Sequence, residues 1–178
     1  MAEEIFTWVV LICLILFAYT APLFSTQIKN DKKYYITIIF FVCILHLISF
    51  VNAYLMTIKG AGSDALTFHD RAVEWALFGE WSFGVSHHLY SQLIGLLYRL
   101  TSPSLFLAQE FSICAFVVSA IYLRKLIALF SYDHDSVGIL ILFSILPYMM
   151  IAHSITLREP FQIMYLLMAT YYGLLTTF

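Results

Sequence analysis

Charge is what this sequence has least of. Of its 178 residues, 11% are Asp, Glu, Lys or Arg, while 62% are hydrophobic and the mean hydropathy is +0.88. A soluble domain carries about 25% charged residues. So few charges cannot cover a globule of this size, which excludes an ordinary soluble domain. The net charge of -2 comes with no basic face to neutralise phosphates, so nucleic acid is excluded as a partner. Cysteine is scarce too. Cys13, Cys43 and Cys114 each sit inside an apolar run and read as small buried hydrophobes. No CxxC or Cys/His cluster marks a metal site. There is no Gly-rich phosphate loop, internal repeat or low-complexity tract. The start, Met1-Ala2-Glu3-Glu4, lacks the basic residues of a signal peptide, and the first apolar run is expected to be a retained helix.

What is present is long apolar runs. A spanning helix needs about 20 apolar residues. Residues 5–24 qualify, and 34–58 follow after a linker holding Lys29, Lys32 and Lys33. Residues 105–123, 137–153 and 160–178 supply three more spans, the fourth with Pro147 inside it. Residues 59–86 are too polar for lipid. The apolar run 87–100 is too short to span. The expected fold is therefore all-α: a polytopic transmembrane bundle of about five spans, an amphipathic outer-face helix and a short surface or half-inserted helix. Aromatic residues, 17% of the chain, suit interfacial belts.

Lysine and arginine orient the spans. The linker 25–33 goes to the cytoplasm, and Arg124 and Lys125 join it only if 87–100 does not cross. The expected location is the inner or plasma membrane, with any site facing the extracytoplasmic side. Asp64, Asp70, Glu74, His87, His88, His153, Arg158 and Glu159 all fall there. Glu110 lies five residues into its span, about 8 Å below the outer end at 1.5 Å per residue. An ionisable group at that depth needs a cavity or a partner.

The stretch from Gly62 to Trp75 carries the most information. Ser63 or Asp64 can cap a helix. Phe68, Ala72, Trp75 and Ala76 then recur at helical spacing, with His69, Asp70 and Glu74 off that stripe. The pattern predicts an amphipathic helix on the membrane surface. Asp64 is either a capping carboxylate there or a catalytic or metal-binding one.

These residues resemble the GT-C-type membrane glycosyltransferases, which take sugars from polyprenyl-phosphate donors. The family's outer loop carries Gly-x-Asp, then an aromatic, then Ala; here Gly62-Ser63-Asp64, Phe68 and Ala72 stand in that order. A short apolar segment follows, here with Tyr90 and Tyr98, then a span closing on Tyr122-Leu123-Arg124-Lys125. A second acid opening a later span is Glu159. The resemblance covers roughly residues 34–178 of a single transmembrane domain, 1–178, with 59–104 as the outer loop. Residues 1–33, one span and its cytoplasmic loop, are extra. Phe68 replaces the usual Tyr, and Ser91 stands where Pro is common. The family's enzymes have many more spans, so the chain is expected to match their N-terminal membrane part, as a fragment or a truncated copy.

The resemblance implies transfer from a lipid-linked sugar donor in the membrane lipids. Asp64 is the candidate general base for the acceptor hydroxyl, with Glu159 the second catalytic acid. Arg158 is the best-placed cation for the leaving phosphate; His87, His88, Arg71, Asp70 and Glu110 complete the candidate substrate-binding set. A divalent cation, magnesium or manganese, held by Asp64 and Glu159 is the alternative, since hard cations prefer carboxylate oxygen.

Structural readings stand beside these. His87-His88 reads as an interfacial pair, His46 as a hydrogen-bonding residue between helices, and Glu110 as a partner of Arg99 or Arg158. Arg158-Glu159 reads as a water-boundary pair at a helix start. Two other function classes compete with the enzyme: a non-catalytic subunit packed against a membrane protein partner in a glycan-assembly complex, and a transporter of a lipid-linked sugar. The transporter would need ionisable groups at mid-depth, where only His46 is expected.

Overall fold

The structure is a computed structural model that describes residues 2–55, 62–79, 89–130 and 133–176. Every regular element among them is helical: α1 (Ala2–Thr20), α2 (Thr26–Lys29), α3 (Lys32–Phe50), α4 (Gly62–Phe78), α5 (Leu89–Leu100), α6 (Leu105–Leu129), α7 (Ser136–Ile145), α8 (Pro147–Ser154) and α9 (Glu159–Leu175). A 3-10 turn, Ala21–Phe24, extends α1, and a π turn, Val51–Leu55, extends α3.

Three helical stretches are long and apolar enough to cross a membrane: Glu4–Phe24, Lys32–Leu55 and Leu105–Leu129. On that ground the chain is a membrane protein. The other two expected spans come out shorter. Residues 137–153 divide at Leu146, where φ -50 and ψ 118 leave the helical region just before Pro147. That is the conformation a residue preceding proline favours. Proline then serves as the first residue of α8, where its missing N–H costs nothing. The last apolar run forms α9, of 17 residues.

The central helix is α6. Of its most apolar stretch 61% is buried, against 22% for α1 and 28% for α3, so those two turn most of their surface outward. One core joins Ile38, Phe41, Val42 and Leu45 of α3 to Ile113, Phe116, Val117 and Ala120 of α6, with Leu140 of α7. A second joins Leu11 of α1, Leu107, Ala108 and Ala115 of α6, and Phe161 of α9 to the α4–α5 hairpin.

Polar contacts fix which ends meet. Thr7 Oγ1 lies 2.8 Å from Ser102 Oγ, which puts the start of α1 beside the start of α6. The Tyr54 and Phe106 rings lie 5.4 Å apart there. At the opposite end Asp31 caps α3 by accepting from the Tyr34 N–H (3.0 Å), accepts from Ser136 Oγ (3.2 Å) and lies 3.4 Å from Arg124 Nε. So the lysine linker, Arg124 and the start of α7 share one end, called here the linker end. Helix α9 runs parallel to α6: Phe161 meets Phe111, and Tyr172 meets Tyr122.

The other end carries α4 and α5, two consecutive helices called here the hairpin, packed side by side with Phe68 on Tyr90 and the Ala76 carbonyl oxygen on Arg99. Their closest approach is at Gly95, where an added Cβ would lie 2.6 Å from the Trp75 ring and 3.0 Å from the Ala72 carbonyl oxygen. With 12 residues α5 is about 18 Å long, too short to cross a hydrocarbon core of about 30 Å. Its residues Tyr90, Ser91, Gln92, Ile94 and Tyr98 are buried within the protein.

Candidate functional site

The hairpin end gathers most of the charged residues that the sequence singles out. The expected apolar stripe of α4 faces the bundle. Ala72 is fully buried, and Phe68 and Ala76 pack beside it. The helix begins at Gly62, so Asp64 sits inside the first turn rather than ahead of it as a cap. Its side chain is exposed, with no ion-pair or hydrogen-bond partner among the described residues. The next residue, Ala65, is buried against Ile155, with Ile151 and Leu157 around them. The first turn of α4 therefore lies against the segment that leads to Arg158 and Glu159. A ladder of rings continues this contact, Phe68 on Tyr90 at 5.2 Å and Tyr90 on Phe161 at 5.5 Å.

Glu159 opens α9 and is partly buried. Arg158 Nε lies 3.7 Å from its Oε1, while Oε2 is buried with no hydrogen-bond partner among the described residues. Burial pushes the Tyr90 phenol up, and the Glu159 carboxylate nearby adds to that shift. Arg158 is exposed beside it and available to an anion. Asp70 is also exposed. Its charge partly offsets the burial that holds His69 below its ordinary value of 6.5. His69 Nδ1 lies 2.7 Å from the Tyr98 hydroxyl, which donates to the Ser104 carbonyl oxygen at 3.0 Å. With that proton committed, Nδ1–H is the donor to Tyr98. Arg71 and Glu74 line an open hollow of about 340 Å³ between α4 and α5, with Trp75, Ser91 and Gln92. His87 and His88 lie outside the described residues.

Two expectations about buried groups are corrected. Glu110 pairs with neither Arg99 nor Arg158. Its Oε2 lies 2.7 Å from His46 Nδ1, and the carboxylate is 1% exposed. Arg99 instead donates to the carbonyl oxygens of Ala76 and Gly79 and covers the Trp75 ring, while Arg158 faces Glu159. The rotation of α6 points Glu110 at α3 rather than at the hairpin. His153 is not presented to solvent. It is buried edge-on to Phe116 and Phe143, with neither ring nitrogen hydrogen-bonded to a described residue.

The His46–Glu110 pair has company. Ser49 Oγ donates to Gln109 Oε1 at 2.9 Å, and Tyr19 stacks on His46 at 5.6 Å. Residues from α1, α3 and α6 thus form a polar cluster inside the bundle. The sequence does carry a signal for it: His46 and Ser49 are three apart on α3 and share a face, and Gln109-Glu110 supply the complementary groups.

Among the described residues no three His, Cys, Asp or Glu side chains converge as a metal site. Asp64 and Glu159 offer oxygen donors of the type magnesium or manganese takes, but at most as a pair. The hairpin end can offer a carboxylate to a hydroxyl proton and a guanidinium to a phosphate without a metal. No family model, curated protein or solved structure matches the chain.

Proposed function

We propose that this chain is the membrane part of a glycosyltransferase of GT-C type, transferring a sugar from a polyprenyl-phosphate donor. In this reading α1, α3, α6, the bent α7–α8 pair and α9 all cross the bilayer. The basic linker end faces the cytoplasm and the hairpin end faces outward. The observation that supports the proposal is the packing of Ala65 with Ile155, which brings the first turn of α4, where Asp64 stands, against the segment leading to Arg158 and Glu159.

Asp64 acts as general base. As it takes the proton of the acceptor hydroxyl, the acceptor oxygen bonds to the anomeric carbon of the donor, and the bond from that carbon to the phosphate oxygen breaks. Arg158 offsets the charge that the departing phosphate acquires. Glu159 holds Arg158 in place and is the second acid of the site. A divalent cation, magnesium or manganese, held by Asp64 and Glu159 would offset the same charge, and chelation with EDTA tests for it; transfer that survives EDTA leaves that task to Arg158. If EDTA abolishes transfer and magnesium or manganese restores it, the Asp64–Glu159 pair becomes the candidate ligand set.

The test is sugar transfer in membranes, by the chain alone and with a membrane partner. Asp64→Asn keeps the shape but cannot accept the proton, so transfer should fall about 100-fold or more. Arg158→Ala should instead raise the KM for the donor. Full activity of Asp64→Asn would remove the catalytic role and leave a non-catalytic subunit as the reading. A lipid-linked sugar transporter is the second reading, favoured by one observation, the His46–Glu110 pair inside the bundle. Translocation of a labelled lipid-linked sugar that survives Asp64→Asn but not Glu110→Gln would select it.

A further inference from the structure

The linker end holds two hollows that the proposed chemistry does not use. The first is polar and about 500 Å³, lined by Gln27, Asn30, Asp31, Lys32, Lys33 and Arg124. Its carboxylate is already engaged: Asp31 accepts from the Tyr34 N–H and Ser136 Oγ and lies against Arg124. Lys32 and Lys33 are exposed and form no ion pair with a described residue. Three cations against one committed carboxylate leave the hollow positive. The N-terminus of α3, which starts at Lys32, adds to the same field.

The second hollow begins one turn deeper on the same helix face. It is about 360 Å³, almost wholly apolar, and lined by Ile36, Thr37, Phe40 and Phe41 of α3 and Ile141 and Ile145 of α7. Ile36 and Thr37 stand four residues after Lys32 and Lys33, so they lie directly below them. From Lys32 to Phe41 the helix rises about 13 Å, close to the depth of one leaflet's hydrocarbon. Asp31 ties the start of α7 to the start of α3, which fixes the width of the groove at its mouth.

A positive hollow at the membrane boundary, continued by an apolar groove into it, matches a molecule with a phosphate head and a long hydrocarbon tail. We infer that this face binds an anionic phospholipid, its phosphate at Lys32 and Lys33 and one acyl chain in the groove between α3 and α7. Free phosphate would fill only the first hollow. A zwitterionic lipid would fill the second without answering the excess charge of the first.

The test uses the whole chain, purified in detergent and stripped of lipid. Phosphatidylglycerol, phosphatidylcholine with the same acyl chains, and inorganic phosphate are added separately. Retention is read by native mass spectrometry and protection by thermal unfolding. Phosphatidylglycerol should be retained at least about tenfold better than phosphatidylcholine, with inorganic phosphate giving no protection. Retention should weaken as salt is raised, because the lysines are exposed. Lys32→Gln with Lys33→Gln should abolish the preference between the two lipids. Ile141→Trp, which fills the groove, should lower retention of both. Equal retention of the two lipids by the unaltered chain, or protection by inorganic phosphate equal to that by phosphatidylglycerol, would overturn the inference. So would an unchanged preference in the double lysine variant. The salt series needs no variant and decides the charge argument even if a variant does not fold.

Discussion

The interior of the α6 bundle and the α4–α5 hairpin treat their polar residues in opposite ways. Inside the bundle, polar groups meet each other: His46 with Glu110, Ser49 with Gln109, and the Tyr34 hydroxyl with the Ala120 carbonyl oxygen. On the hairpin, packing is carried by Ala72, Gly95, Trp75 and a ladder of rings, while Asp64, Asp70, Arg71 and Glu74 stay on the outside. In lipid an unpaired polar group has no water to turn to, which favours such pairs, although His153 is buried without one among the described residues. On the hairpin the charged side chains are exposed, and in the proposed reading water satisfies them.

The largest expected effect comes from breaking the interior pair. His46→Ala leaves Glu110 buried without its partner and should cost about 3 kcal/mol in detergent unfolding. Replacing both residues by leucine should recover most of that loss. If His46→Ala is neutral, the bundle does not depend on the pair, and the contrast with the hairpin fails.

A smaller effect is expected where the hairpin is tightest. Gly95→Leu drives a side chain into Trp75 and the Ala72 carbonyl oxygen and should cost about 2 kcal/mol. The damage should be local, seen as faster hydrogen exchange along 64–78 with α6 unchanged. Equal acceleration in α6 would mean that hairpin and bundle unfold as one unit.

Acid should loosen the hairpin through His69. Burial lowers its pKa in the fold below the ordinary 6.5, so the unfolded segment binds the proton more readily than the folded one. Stability from this group is complete above pH 6.5 and is lost as pH falls through the lowered folded value. Exchange along α4 should rise on acidification, and His69→Gln should remove that dependence. An unchanged acid response in His69→Gln would assign it to another group.

The smallest effect is expected from the outer carboxylates. Asp64→Asn or Glu74→Gln should change stability by no more than about 0.5 kcal/mol, since both side chains are exposed. A larger loss at Asp64 would give it a structural role and weaken its claim to chemistry.

Much of this arrangement is legible in the chain itself. The three long spans follow from uninterrupted apolar runs, and α4 follows from Phe68, Ala72, Trp75 and Ala76 at helical spacing. The break at Leu146 is latent in Pro147, although hydropathy alone reads through it, because proline is apolar enough to leave the run intact. The candidate site is legible only as one end of the molecule. Counting loops places Asp64 and Glu159 together, but the contact of Ala65 with Ile155 joins residues 90 positions apart and has no local signal.

Composition and periodicity thus determined by themselves that this is a helical membrane protein, where its long helices run, and which residues gather at each end. These are one-dimensional properties, set by transfer from water to lipid and by the turn of a helix. Tertiary structure alone decided the partners: Glu110 with His46 rather than with an arginine, His153 between two phenylalanines, and the packing of α5 on α4. Those choices depend on how each helix is rotated about its own axis. That rotation is fixed by the shapes of neighbouring helices, which no single segment encodes.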